Sequence, residues 1–292
     1  MKAILKQIIE RVQQMPAVSP NTLRILEMAS DPNCETRAIA SLVAMDVTFS
    51  TACLRMVNSA IFGLLNPINS IDMAVNYLGR REIVNIVMHT GFKGLYYAPL
   101  SGYSANAGDL WTHSLRTAIA SMLLAKSLLK SETADAAYTA GLLHDIGKVI
   151  TSEFLKISLS EILHTLNRGD NSDFPTIEKR LLSMDHTEIG QLLAQKWKIP
   201  TKIETVIRYH HVPGEAPEEF RKLCSMVHIG DMLAMLGGYG TGFDTLSYRV
   251  DPAVWDILKV NDETVSKLML DIDAEFEKAQ KKLSGIFAEE TV

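Results

Sequence analysis

His144 and Asp145 stand side by side in Gly141-Leu142-Leu143-His144-Asp145-Ile146-Gly147-Lys148, two polar groups breaking an apolar run. Leu142, Leu143, Ile146, Val149 and Ile150 flank them, so the pair is expected to be buried or to line a cavity. A buried carboxylate is costly unless it is paired or bound to a metal. Lys148 follows Asp145 by three residues and His144 by four, a helical spacing that places it on the side of both. One pair cannot hold a metal ion, so further donors must come from elsewhere. His113 is one, with Asp109 a turn before it; others are His186, the adjacent His210 and His211, and Asp231. These offer imidazole nitrogen and carboxylate oxygen without thiolate, a set that suits Fe or Mn better than a structural zinc.

Each residue also has a plainer reading. A lone histidine on an amphipathic helix is more often a core or surface residue than a ligand. His89, His164 and His228 take that reading, although His228 lies one turn from Asp231 and can sit behind a ligand. The His144-Asp145 pair can be a hydrogen-bonded core pair, His210-His211 a solvated helix end, and Lys148 a snorkelling lysine. Asp185 and Asp135 read as a cap and a first-turn residue. Spacing alone leaves the metal and core readings open.

The elements that must position these residues are helical. Ser19-Pro20 reads as a cap and first helical position before Leu23–Met28, which ends near Asp31-Pro32. Further helices are expected at Ala38–Ala44, Thr51–Phe62, Ser70–Leu78 and, after Gly79, Arg80–Met88. Gly91–Gly108 collects Gly, Ser, Tyr, Ala and Pro and reads as a junction between a helical lobe 1–95 and a second lobe 105–292. Beyond it, helices are expected at Asp109–Leu129, Thr133 into Lys148, Glu153–Leu166, Pro175–Met184, His186–Trp197, Thr201–His210, Lys222–Leu236 and Val265–Ile286. Asp185 and Glu188 form a capping-box pattern before His186. No alternating run supports a sheet, and no fixed-period repeat is present.

Composition narrows the class. The chain has 292 residues, 47% hydrophobic and 22% charged, with ample material for a buried core in one unit. A formal net charge of -5 argues against a protein dedicated to nucleic acid. No apolar run approaches the ~18 residues of a membrane span. The N-terminus lacks the apolar stretch and cleavage site of a secretion signal. Cys34, Cys53 and Cys224 are far apart, which fits a reducing compartment and makes a cytoplasmic protein the simplest reading.

The ordered set His113, His144-Asp145, Asp231 resembles the H…HD…D signature of the HD superfamily of metal-dependent phosphohydrolases. Met15-Pro16-Ala17-Val18, Asp46-Val47-Thr48-Phe49-Ser50-Thr51, Leu54-Arg55-Met56-Val57-Asn58-Ser59-Ala60, Ile68-Asn69-Ser70-Ile71 and Ala74-Val75-Asn76-Tyr77-Leu78-Gly79 resemble the N-terminal lobe of HDOD proteins. Asp185-His186-Thr187-Glu188-Ile189-Gly190, Trp197, Pro200 and Tyr209-His210-His211 resemble that family's C-terminal half. The resemblance spans about residues 10 to 235 and implies an all-α, two-lobed fold with an HD-type helical core. The pattern is also similar to the HD-GYP phosphodiesterases, which hydrolyse a bacterial cyclic dinucleotide. Carried over, His113, His144, Asp145 and Asp231 would hold a first metal, and Asp145 would bridge to a second held by His186, His210 and His211. Lys148 would contact phosphate, and Asp109 stands where some relatives place a carboxylate for an additional metal. The chain continues Val212-Pro213-Gly214-Glu215, without a Gly-Tyr-Pro motif, so cyclic-dinucleotide specificity does not carry over.

Two functions follow as expectations. One is a bacterial signalling module with a retained site for two divalent ions and an unidentified partner protein. The other is a metal-dependent phosphohydrolase acting on a phosphorylated small molecule, such as a nucleotide or cyclic dinucleotide, with Asp145 and Lys148 in catalysis. Ser70–Met88 also resembles a helix-turn-helix, but only Arg80 and Arg81 add local positive charge.

Overall fold

The computed structural model describes residues 2–129, 133–158, 172–245 and 247–287. Among these the chain is all-α, without a β-strand and with one isolated bridge between Leu100 and Ala105. The expected part of the helix through Leu166 beyond residue 158, and with it His164, lies outside the described residues.

The first helices are α1 (Lys2–Gln14), α2 (Pro20–Ala29), α3 (Thr36–Ala44), α4 (Val47–Val57), α5 (Ile71–Leu78) and α6 (Arg80–Tyr96). Local chemistry sets several starts. Ser19 accepts from Asn21 N and puts Pro20 in the first turn. Ser70 accepts from Met73 N at the head of α5. Asp46 accepts from Thr48 N and Phe49 N, which starts α4 at Val47 rather than at the expected Thr51. That helix ends at Asn58 rather than Phe62, because the Asn58 side chain bonds both Ile68 N (2.7 Å) and Ile68 O (2.8 Å).

The expected junction begins later than the sequence implied. α6 runs through Gly91 and Gly94 to Tyr96, because Phe92 and Tyr96 are buried on it against Trp197 and Trp111. That apolar burial outweighs the weak helix preference of glycine. Residues Glu82 to His89 are buried without a break. Arg80 donates to the carbonyls of Asp31 and Cys34, and Arg81 pairs with Glu275 at 3.7 Å.

The second half contains α7 (Asp109–Leu129), α8 (Ala134–Leu143), α9 (Lys148–Leu155), α10 (Phe174–Leu182), α11 (His186–Trp197), α12 (Thr201–Tyr209), α13 (Arg221–Leu236), α14 (Ala253–Leu258) and α15 (Asp262–Phe287). α7 packs along both α8 and α13. Small residues let the backbones approach: a Cβ on Gly141 would stand 2.6 Å from Ala118 Cα, and one on Gly230 2.9 Å from Thr117 O.

The expected helix from Thr133 into Lys148 is two helices. α8 stops at Leu143, residues 144–147 turn, and α9 starts at Lys148. The turn brings Gly147 against the head of α11, where a Cβ would sit 1.9 Å from His186 O. This contact draws His186 toward the His144-Asp145 turn, which a continuous helix could not do. α1 and α14 were not anticipated. α1 buries Ile8 and Val12, an i, i+4 pair, and packs on α9 and α11. Arg11 reaches Glu153 of α9 through two contacts of 2.7 Å. α15 packs on α4 and α7.

Candidate metal centre

His113 comes from α7, His144 and Asp145 from the α8–α9 turn, His186 from the first position of α11, His210 and His211 from the end of α12, and Asp231 from α13. The structure brings all seven together. His113 Nε2 lies 3.0 Å from Asp231 Oδ1 and 3.4 Å from Asp145 Oδ2. His144 Nε2 lies 3.4 Å from Asp145 Oδ2 and 3.6 Å from Asp231 Oδ1. On the other side of the same carboxylate, Asp145 Oδ1 is 3.5 Å from His186 Nε2 and 3.7 Å from His210 Nε2. His211 Nε2 is 3.0 Å from His186 Nε2, and its Nδ1 is 3.9 Å from Asp231 Oδ2. Three overlapping donor groups each lie within the reach of one ion: His113-His144-Asp145 and Asp145-His186-His210-His211, which share Asp145, and His144-His210-Asp231, which draws one histidine from each.

The rings are held so that nitrogen lone pairs converge. His113 Nδ1–H donates to Tyr239 O at 2.6 Å, His144 Nδ1–H to Gly141 O at 2.8 Å, and His210 Nδ1–H to Ile207 O at 3.0 Å. A carbonyl can only accept, so each proton sits on Nδ1 and Nε2 faces inward. His186 Nδ1–H donates to Glu178 Oε2 at 2.7 Å, a carboxylate–histidine pair of the kind that orients metal ligands. Glu178 is fully buried and also accepts from His186 N and from the Tyr103 hydroxyl. His228 braces the site from behind, donating from Nδ1 to His210 O at 2.7 Å and accepting from Asp251 N at 3.0 Å.

The cluster fits a cation. Asp145 Oδ1, His210 Nε2 and His211 Nδ1 are buried without a hydrogen-bond partner among the described residues, a state that buried polar atoms rarely keep, while Asp145 Oδ2 is paired with Lys148 Nζ. Electrostatics agrees. Burial, reinforced by neighbouring histidines, pushes His210 down to about 3 and His211 well below the usual range, so both present neutral imidazole. Burial opposes charge on His113 and His144 too, but Asp145 and Asp231 prevail and raise both, His144 to about 10. His186 is raised against the same penalty by Glu178. Burial likewise opposes ionisation of Asp145 and Asp231, yet Lys148 and His144 hold the first, and His113 and His144 the second, well below the carboxylate range. Two buried carboxylates thus draw positive charge into the centre.

Lys148 is no snorkelling lysine. It is 1% exposed, and its Nζ lies 2.8 Å from Asp145 Oδ2, 2.9 Å from Asp244 Oδ2 and 2.7 Å from Thr241 Oγ1. Asp109 does not join the cluster: its Oδ2 accepts from Asn106 N at 2.6 Å and the residue is half-buried at the head of α7. His89 packs edge-on against Tyr97 and Trp111 in the core. Asp185 caps α11 with Glu188 in the expected capping box. His211 borders a cleft of about 170 Å³ that also touches Thr176, Lys179, Thr187 and Arg208.

Sequence reasoning missed Glu178, Tyr239, Thr241, Asp244 and Tyr248. Glu178 had a signal, since it falls on the Phe174–Leu182 stripe where an apolar residue is expected. Thr241 and Asp244 sit in the glycine-rich stretch Gly237-Gly238-Tyr239-Gly240-Thr241-Gly242-Phe243-Asp244, which carries no helical periodicity.

Comparison with known proteins bears on the fold and the family. A protein of Treponema pallidum (strain Nichols) without assigned function is 30% identical over 229 residues, 77% of this chain; the chain spans 43% of that relative's length. Among solved structures, an HDOD domain protein of unknown function from Geobacter sulfurreducens superposes with TM-score 0.71 at 23% identity, covering 98% of this chain and 97% of that one. A signal transduction candidate from Marinobacter aquaeolei VT8 gives TM-score 0.76 at 19% identity, covering 99% of this chain and 66% of that one. A phosphohydrolase candidate from Shewanella amazonensis SB2B gives 0.65 at 23%, covering 94% and 97%. At these identities the likeness is one of fold. The HDOD domain model matches residues 15–213, more than half of the sequence and inclusive of every clustered residue but Asp231, and the chain therefore belongs to the HDOD family.

Proposed function

We propose that this chain is a bacterial signalling module that has kept a centre for two divalent cations. His113, His144, Asp145 and Asp231 would hold one ion, and Asp145, His186, His210 and His211 the other, with Fe or Mn favoured by the oxygen and nitrogen donors. The observation that carries this reading is the sharing of Asp145, whose two buried oxygens face separate histidine groups, Oδ1 without any hydrogen-bond partner among the described residues and Oδ2 paired with Lys148. Burial favours a regulatory role: every proposed ligand except His211 is nearly or fully shielded from solvent, and Lys148 is engaged by Asp244. The naming of the Marinobacter protein as a signal transduction candidate supports the same class. The proposed partner is a protein met by the N-terminal lobe, residues 1–95, with residues 105–292 as the HD-like lobe. Nucleic acid is disfavoured by the charge of -5 and by the internal pairing of Arg80 and Arg81. No single described helix is long and apolar enough to cross a membrane; the cytoplasm is the proposed compartment, consistent with three free cysteines.

A second reading, a phosphohydrolase of phosphomonoesters or phosphodiesters, is favoured by the lysine ammonium placed beside the shared carboxylate. Divalent ions bound there would polarise phosphoryl oxygens and acidify water. Lys148 would offset charge developing on the phosphoryl group, and the dry walls would strengthen that contact. Purification under reducing, oxygen-free conditions, reconstitution with Fe(II) or Mn(II), and metal counting by mass spectrometry test the first reading. Two ions per chain are expected, and fewer than one overturns it. A phosphoester screen on the same protein decides between the readings: turnover lost in Lys148→Ala at unchanged metal content establishes the second.

A further inference from the structure

Residues 237–245, between α13 and α14, form a strap across the centre. Tyr239 O fixes His113, Thr241 and Asp244 are buried against Lys148, and Phe243 N donates to Tyr103 O at 3.0 Å. Asp244 Oδ2 takes three contacts: Lys148 Nζ at 2.9 Å, Thr241 Oγ1 at 3.0 Å and the Tyr248 hydroxyl at 2.7 Å. The Tyr248 ring lies flat on His211, 4.4 Å between centroids. The strap therefore reaches His113 and the lysine directly and, through Tyr248, His211.

A carboxylate oxygen held by an ammonium, a threonine hydroxyl and a tyrosine hydroxyl sits in a pocket built for an oxyanion. The glycines fit the strap to its path. Gly238 and Gly242 have φ of +84° and +125°, and a Cβ on Gly242 would stand 1.9 Å from Tyr103 O. Such a segment adopts its closed form only with glycine, and glycine has the widest choice of open forms.

We propose that Asp244 is an internal stand-in for a phosphoryl oxyanion: it occupies Lys148 while the strap is closed, and a phosphorylated ligand must displace it to reach the centre. The strap thereby sets which ligands gain access. This deepens the proposed function and rests on the two-cation reading for the ligand's remaining contacts. Asp244 acts by position and is not itself a catalytic residue.

The test measures binding of inorganic phosphate by calorimetry to the Mn(II)-reconstituted full chain and to the metal-free chain. Asp244→Asn keeps the shape and removes the charge. It is expected to tighten phosphate binding about tenfold or more, the scale of one charge-assisted contact, and Lys148→Ala in the same background should abolish the gain. Tyr248→Phe, which keeps the ring on His211, should give a smaller gain in the same direction. Amide hydrogen exchange across 238–245 should speed up in Asp244→Asn and, in the wild type, on phosphate saturation. A merely structural Asp244 predicts lower thermal stability with unchanged phosphate affinity, and that outcome overturns the proposal while leaving the metal centre standing. If neither protein retains metal, the two-cation reading fails. The strap is then judged on the metal-free chain, where unaltered exchange in Asp244→Asn overturns it.

Discussion

Glu178 offers a graded test of the proposed centre. Its Oε2 accepts from His186 N at 2.8 Å and from His186 Nδ1 at 2.7 Å, while Oε1 accepts from Tyr103. In Glu178→Gln the carbonyl oxygen can stay on His186 and the amide can turn to Tyr103, whose hydroxyl can rotate to accept. Orientation survives and only the charge is lost, so His186 becomes a weaker base. Glu178→Ala loses orientation and charge together. Removal of such a partner costs about 10–100-fold in metal affinity, or about 1.4–2.7 kcal/mol; Gln belongs at the low end and Ala at the high end. Ala also strands the buried His186 N–H and Tyr103 hydroxyl, at about 1–3 kcal/mol for each unpaired group. The assay is retained metal after dialysis against chelators of increasing strength, with thermal unfolding in parallel. The ion beside His186, His210 and His211 should leave first, which gives a plateau at one ion per chain. Simultaneous loss of both ions, or equal effects of Gln and Ala, refutes the reasoning.

Asp145→Ala should remove both ions, since it deletes the carboxylate shared by the His113-His144 group and the His186-His210-His211 group. At metal concentrations 100-fold above Kd the wild type should gain about 2.7 kcal/mol that the variant does not, read as a metal-dependent shift in Tm. Metal uptake should release protons, because His144, raised from 6.5 to about 10, must lose its proton to bind. For the metal-free chain the sign is that of a raised group: the stabilisation is complete below pH 6.5 and fades as pH rises through about 10. The metal-free Tm should therefore fall across that window while metal affinity rises, both measurable in buffered titrations. Gly147→Ala should be severe, because its Cβ would lie 1.9 Å from His186 O and 2.6 Å from Gly190 N. Overpacking of this kind costs about 1–3 kcal/mol or more, and moving α11 off the turn should abolish the ion nearer His186; a variant with wild-type Tm and metal content would show that the close approach is unimportant.

The clustered residues were legible because each breaks a pattern. His144 and Asp145 interrupt an apolar run, and His210-His211 closes a helix. What the sequence could not show was the turn that separates α8 from α9, since 134–150 is apolar enough to read as one helix; a tertiary contact, Gly147 on His186 O, decides it. α6 was cut short for the converse reason: Gly91 and Gly94 weigh on propensity, while burial of Phe92 and Tyr96 decides the outcome. α1 was passed over, although Ile8 and Val12 carry a helical stripe. Asp244 and Tyr248 were illegible, because their partners lie about a hundred residues or less away in sequence and across a loop without periodicity, as Lys148 and Asp244 do at a separation of 96.

Formal charge joins the centre to the strap. Asp145, Asp231, Glu178 and Asp244 place four carboxylates in the buried volume, and Lys148 one ammonium. With every imidazole neutral, three negative charges are left. The raised proton affinity of His113, His144 and His186 acts in the direction that offsets this excess in the metal-free chain, while burial keeps His210 and His211 toward the neutral form. Two divalent ions in place of protons would convert the remainder to one positive charge with the strap closed. Withdrawal of Asp244 would make it two. A phosphomonoester carries about -1.5 to -2 near neutral pH and matches the open site, whereas a diester carries one charge and matches it less well. Inorganic phosphate should therefore bind the metal-loaded Asp244→Asn variant more tightly than dimethyl phosphate does. Because either anion must displace Asp244 in the wild type, the occupied site carries the same charge in both proteins: both anions should bind the wild type more weakly than the variant, with a similar preference for the dianion. Calorimetry with both anions on both proteins reads this directly, and a diester that binds the variant as tightly as phosphate would sink the charge argument.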